Sequence, residues 1–121
     1  PIVIFGDGAQ TRGFVFVKDV VAANVHLAAN RECCDVYNVA RGGEIAIRTL
    51  AEKIVALTHS ASEIRHAEER PGDVRHSTAA VKRLADAGFR PGTPFEVGLE
   101  KTIASSRKRE QRPQKPPADK A

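Results

Sequence analysis

A chain of 121 residues with 41% apolar side chains fits one domain at most, and its five phenylalanines, one tyrosine and lack of tryptophan leave a thin core. The net charge of +4 is concentrated at one end: residues 1–106 carry 13 basic and 13 acidic side chains, whereas residues 107–121 carry 6 and 2. A neutral body of this kind argues against a nucleic-acid partner, and no apolar stretch approaches the roughly 20 residues of a membrane span.

Pro1–Phe5 reads as a short apolar strand, Gly6-Asp7-Gly8 as a turn, and Gly13–Val17, β-branched and aromatic, as a second strand. Asp19 is placed to cap a helix on which Val20, Ala23 and Leu27 recur at helical spacing, and Val21, Val25 and Ala28 widen that stripe to a broad buried face. Asp35–Val39 reads as a strand ended by Arg41-Gly42-Gly43, and Ile47, Leu50, Ile54 and Leu57 mark a second helix. Ser62–Ala67 is a further strand and Arg70-Pro71-Gly72-Asp73 a loop, followed by a short helix over Thr78–Ala87 that Gly88 terminates. Thr93, Pro94 and Glu96 combine a cap, a first-turn proline and a carboxylate, so the last helix starts there, with Phe95, Leu99 and Ile103 on its apolar edge. Residues 107–121 have no side chain able to join a core and read as a disordered basic tail, leaving 1–106 as the folded part. The alternation of strands and helices predicts an α/β class. Because the chain starts at Pro1 inside an apolar run and contains no methionine, it is expected to be a truncated piece of a larger protein.

Catalytic machinery is absent from this pattern. Gly6-Asp7-Gly8 lacks a third glycine and leads into another strand, so it cannot offer a helix amino terminus to a dinucleotide pyrophosphate. Tyr37 has Arg41 rather than lysine four residues on. The four histidines share no metal-ligand spacing with one another or with Cys33 and Cys34, so no metal is assigned. The adjacent cysteines suit reduced thiols in a cytoplasmic setting better than a disulfide framework. Two arginines stand out instead. Arg12 lies in the first loop, and Arg70 opens a Pro-Gly turn ending in Asp73, so both guanidiniums can match phosphate oxygens while the aspartate accepts from ribose hydroxyls.

Ile4-Phe5-Gly6-Asp7-Gly8-Ala9-Gln10-Thr11-Arg12-Gly13-Phe14-Val15-Phe16-Val17-Lys18-Asp19-Val20 resembles the Gly-Asp-Gly-x-Gln-x-Arg-Asp-Phe-x-x-Val-x-Asp-Val stretch of extended short-chain dehydrogenases. Tyr37-Asn38-Val39-Ala40-Arg41-Gly42 and Arg70-Pro71-Gly72-Asp73-Val74-Arg75-His76-Ser77 follow in the same order as two further motifs of that family. The whole is similar to the NAD-dependent epimerase/dehydratase family, above all the UDP-glucose 4-epimerases, over residues 1–103. The resemblance implies the carboxyl-terminal, substrate-binding part of an extended Rossmann-type fold. Arg12 and Arg70 would hold the diphosphate of a UDP-sugar, Asp73 would lie near its ribose, and Val3 and Phe5 would border the uracil. Ser77 matches a position near the sugar, where a small side chain suggests room for an N-acetylated hexose.

The complete enzyme would use NAD and form a homodimer. Its glycine fingerprint and Tyr-x-x-x-Lys pair would lie in a half absent here, leaving no catalytic residue in this chain and the chain inactive alone. Two departures from the family pattern are Gly13, where aspartate follows the loop arginine and would help orient it, and Ala40, which replaces a glycine. A dehydratase or reductase of the same family, or a non-catalytic binding module with a basic interaction tail, remain alternatives to the epimerase reading.

Overall fold

The structure, a computed structural model, describes residues 1–111. Its elements are β1 (Ile2–Phe5), β2 (Thr11–Arg12), α1 (Val17–Ala29), β3 (Ile45–Ala46), α2 (Ile47–Thr58), β4 (Ile64–Ala67), β5 (His76–Ser77), α3 (Lys82–Asp86) and α4 (Phe95–Glu110). β1 pairs in parallel with β4, Ile2 opposite Ile64 and Phe5 opposite Ala67. A parallel pair needs a crossover connection, and the intervening chain supplies one that includes both α1 and α2. The second sheet has the order β3-β2-β5, with β3 antiparallel and β5 parallel to the central β2. The fold is therefore α/β, as the alternation of patterns predicts.

The core is small. Ile4 on β1, Ala23 on α1, Ala51 on α2 and Leu84 on α3 are its buried apolar residues. Leu84 is the largest fully buried side chain among the described residues. No helix among the described residues is long and apolar enough to cross a membrane.

Several local expectations do not hold in the structure. The strand expected over Gly13–Val17 is replaced by the two-residue β2, and Val17 already belongs to α1. The Asp19 carboxylate does not cap α1; it accepts from the Thr93 backbone N–H at 3.0 Å and the Thr93 hydroxyl at 2.9 Å. Thr93 is thereby also diverted from capping α4, and the pair fastens the start of α4 to the first turn of α1. The broad buried face of α1 is narrower than its sequence suggests: Ala23 is buried, while Val17, Val21 and Val25 are 65%, 56% and 64% exposed.

Asp35–Val39 forms no strand. A strand needs a neighbour's ladder, and here Arg83 takes that place, its Nη1 donating to Asp35 Oδ1 at 3.0 Å and to the Val36 carbonyl at 2.9 Å. At the other end, α4 runs through Arg107–Glu110, four residues past the boundary drawn for a disordered tail. Arginine, lysine and glutamate are good helix formers, and Arg107 donates to the Thr58 carbonyl at 3.1 Å, anchoring the extension to α2. The rest of the expected tail, residues 112–121, lies outside the described residues.

Candidate functional site

The Arg70-Pro71-Gly72-Asp73 segment folds as a tight turn. Proline presets its first central position, Gly72 takes φ +81° at the second, and the Asp73 N–H donates back to the Arg70 carbonyl at 3.2 Å. That turn faces the end of β1 across a cleft of about 320 Å³ lined by Val3, Phe5, Gln10, Ile47, Arg70 and Asp73, among others. The Arg70 guanidinium lies 3.6 Å above the centroid of the Phe5 ring. This stacked contact contributes about 0.5–2 kcal/mol and holds the side chain in place without consuming its N–H donors. Among the described residues Arg70 has no carboxylate partner, so a cation with open donors borders a cleft lined by both apolar and polar groups.

Arg12 reaches the same place from the opposite strand. Its Nη2 donates to Asp73 Oδ1 at 2.7 Å, and its Nη1 donates to the carbonyls of Thr11 at 2.8 Å and Val74 at 2.7 Å. Gly13 thus does not leave Arg12 loose: the aspartate that the family pattern places next in sequence is replaced in its orienting role by Asp73 from the turn. Asp73 in turn has one carboxylate oxygen engaged by Arg12 rather than both facing the cleft.

Four of the six expected site residues, Val3, Phe5, Arg70 and Asp73, line one cleft, and Arg12 joins them through Asp73. Ser77 does not line it; it sits on β5 directly opposite Arg12 in the sheet register. Gln10 and Ile47 are lining residues to which the sequence reading gives no role. Gln10 Nε2 donates to the Phe5 carbonyl at 2.8 Å, fixing the end of β1 that carries the aromatic ring, and its place in the Gly-x-Gln stretch was the available signal. A larger cavity of about 390 Å³ around Phe14, Phe95 and Leu50 is lined without any charged residue and offers nothing to a phosphate.

The glycine turn is filled by protein. The Glu69 side chain packs over Gly6, and a side chain at Gly8 would meet Arg48 Cβ at 3.0 Å. The chain leaves this turn into β2 rather than a helix, so the turn presents no helix amino terminus to a dinucleotide pyrophosphate such as that of NAD.

Comparison with known proteins agrees with the class that fold and cleft define. Residues 1–40 match the model of the NAD dependent epimerase/dehydratase family. The dTDP-D-glucose 4,6-dehydratase of Bos taurus is 32% identical over 108 residues, covering 83% of this chain and 30% of that protein. Among solved structures, the UDP-glucose 4-epimerase of Thermotoga maritima with UDP-glucose superposes with a TM-score of 0.82 at 32% identity, covering 91% of this chain and 36% of that one. The UDP-N-acetylglucosamine 4-epimerase of Methanobrevibacter ruminantium, in complex with UDP-N-acetylmuramic acid, gives 0.80 at 36% identity, covering 89% and 35%. These are Rossmann-type nucleotide-sugar enzymes. The chain is similar to members of the NAD-dependent epimerase/dehydratase family over most of its own length and spans about a third of the length of the relatives it matches.

Proposed function

We propose that the cleft between β1 and the Arg70–Asp73 turn holds the nucleoside diphosphate end of a UDP-sugar. On this reading the chain is the substrate-binding part of a nucleotide-sugar epimerase resembling UDP-glucose 4-epimerase. The observation that carries it is the Arg70 guanidinium, stacked on Phe5 with its donors open, beside Asp73 and the apolar Val3. A guanidinium pairs with two phosphate oxygens at once, an aromatic ring supplies a flat wall for a base, and a carboxylate accepts from ribose hydroxyls.

Arg12 contributes by holding Asp73, whose carboxylate lines the cleft. Two of its five N–H donors are free of the three hydrogen bonds described, enough for one further oxygen. Ser77, opposite Arg12, is proposed to face the sugar rather than the nucleotide. Support also comes from the two structural relatives above, whose structures contain UDP-glucose and UDP-N-acetylmuramic acid. NAD would supply the hydride chemistry of the complete enzyme, held by residues other than these, and the homodimer belongs to that complete enzyme too. The dehydratase reading is kept alive by the Bos taurus relative, and it differs in the chemistry after binding rather than in the cleft.

Calorimetric titration of the chain with UDP, uridine and inorganic pyrophosphate tests this function. UDP is expected to bind more tightly than either fragment, because base wall and phosphate cation lie in one cleft. Equal affinity for UDP and pyrophosphate would reduce the site to a general anion patch.

A further inference from the structure

Behind the cleft, on the small sheet that carries Arg12 and Ser77, one carboxylate gathers three side chains from two other strands. Glu44 immediately precedes β3, after Gly42 and Gly43, both at positive φ, turn the chain. Its Oε2 accepts from the Thr11 hydroxyl of β2 at 2.5 Å, and its Oε1 accepts from the hydroxyl of Thr78, just past β5. His76 Nδ1 of β5 lies 2.9 Å from the same Thr11 hydroxyl and 3.6 Å from Glu44 Oε2.

We infer that Glu44 is a positioning residue for the nucleotide-sugar site, setting the register of β2 against β5 so that Arg12 faces Asp73. The inference rests on the function proposed above.

The reason lies in how little backbone these strands have. β2, β3 and β5 are two residues long each. Thr11 N–H donates to the Arg75 carbonyl at 2.8 Å and Gly13 N–H to the Ser77 carbonyl at 3.2 Å, a ladder too short to fix register firmly by itself. Side chains alternate across a strand, so Thr11 and His76 share one face while Arg12 and Ser77 share the other. A slip of one residue would exchange the faces and turn Arg12 away from Asp73. Glu44, bonded on the Thr11 face, opposes that slip without touching the cleft. The two hydroxyl donors and His76 also hold its carboxyl below the usual glutamate range, as expected of a charged acceptor in a fixed position.

The test uses UDP as probe on the whole chain, in a cycle of Glu44→Ala and Arg12→Ala with the two combined, and Glu44→Gln alongside. Glu44→Ala is expected to weaken UDP binding about tenfold and to speed amide hydrogen exchange at Gly13, and Glu44→Gln, which keeps one acceptor oxygen, to do less of both. In the Arg12→Ala background the Glu44→Ala penalty should vanish, since Glu44 acts through Arg12. Undiminished UDP affinity in Glu44→Ala, or a penalty of equal size without Arg12, would overturn the inference. If Glu44→Ala does not fold, Glu44→Gln carries the same cycle. A parent chain that does not bind UDP at all would remove the proposed function itself, whereas a parent that binds and a Glu44 variant that binds equally would remove only this inference.

Discussion

Arg12 and Asp73, 61 residues apart in sequence, meet through a single hydrogen-bonded ion pair of 2.7 Å that joins β2 to the Arg70–Asp73 turn. Both side chains are partly exposed, 29% and 31%, so the pair acts more by fixing geometry than by adding stability. A double-mutant cycle of Arg12→Ala and Asp73→Ala, read by urea unfolding, should give a coupling energy of about 0.5–1 kcal/mol. The same Asp73→Ala change should weaken UDP binding, because it removes the proposed ribose acceptor and releases Arg12 together.

Among the described residues, three carboxyls are held below the usual carboxylate range. The Asp7 carboxyl is lowered chiefly by the Ala9 backbone N–H and then by Arg75, that of Glu44 chiefly by the hydroxyls of Thr11 and Thr78, and that of Glu96 by its own backbone N–H and then Lys53. A group whose folded pKa is depressed contributes stability that is present above the unfolded value, about 4 for carboxylates, and lost as pH falls through the folded one. Thermal midpoints should therefore fall progressively below about pH 4. The gap between the parent and Glu44→Gln should narrow over the same range, and a gap independent of pH would contradict the role given to that carboxylate.

The contact between Asp19 and Thr93 spans 74 residues and carries two hydrogen bonds, one from the backbone N–H and one from the hydroxyl. Asp19→Ala leaves the Thr93 N–H without its acceptor and should cost about 1–3 kcal/mol in denaturant unfolding. Thr93→Ser, which keeps the hydroxyl, should cost much less. Equal losses in the two variants would mean that packing, not the carboxylate, docks α4.

These pairs also show what the sequence conveyed. α2 was legible because its apolar residues follow a helical period that one face can satisfy, and the Pro-Gly turn because Pro71 and Gly72 fit a turn of one type. Asp19 and Thr93 each carry a sound local capping signal, but the two signals answer each other across the fold, and no local pattern reveals that. Asp35–Val39 has strand composition, yet composition cannot provide the neighbouring strand that a ladder needs, and Arg83 meets its polar groups instead. The site residues came from motif order more than from spacing. The structure brings Val3, Phe5, Arg70 and Asp73 to one cleft and leaves Ser77 outside it. Glu44 went unnoticed because its partners Thr11 and Thr78 lie more than 30 residues away on either side.

The most direct measurement is UDP affinity of Arg70→Ala against the parent chain by calorimetry. Arg70 makes no ion pair among the described residues and leans on Phe5 alone, so its loss should leave the unfolding midpoint nearly unchanged. A charge-assisted contact to a phosphate contributes about 1.5–3 kcal/mol, so UDP binding should weaken by at least tenfold. An Arg70→Ala chain that folds and binds UDP as tightly as the parent would contradict the assignment of this cleft to a nucleoside diphosphate.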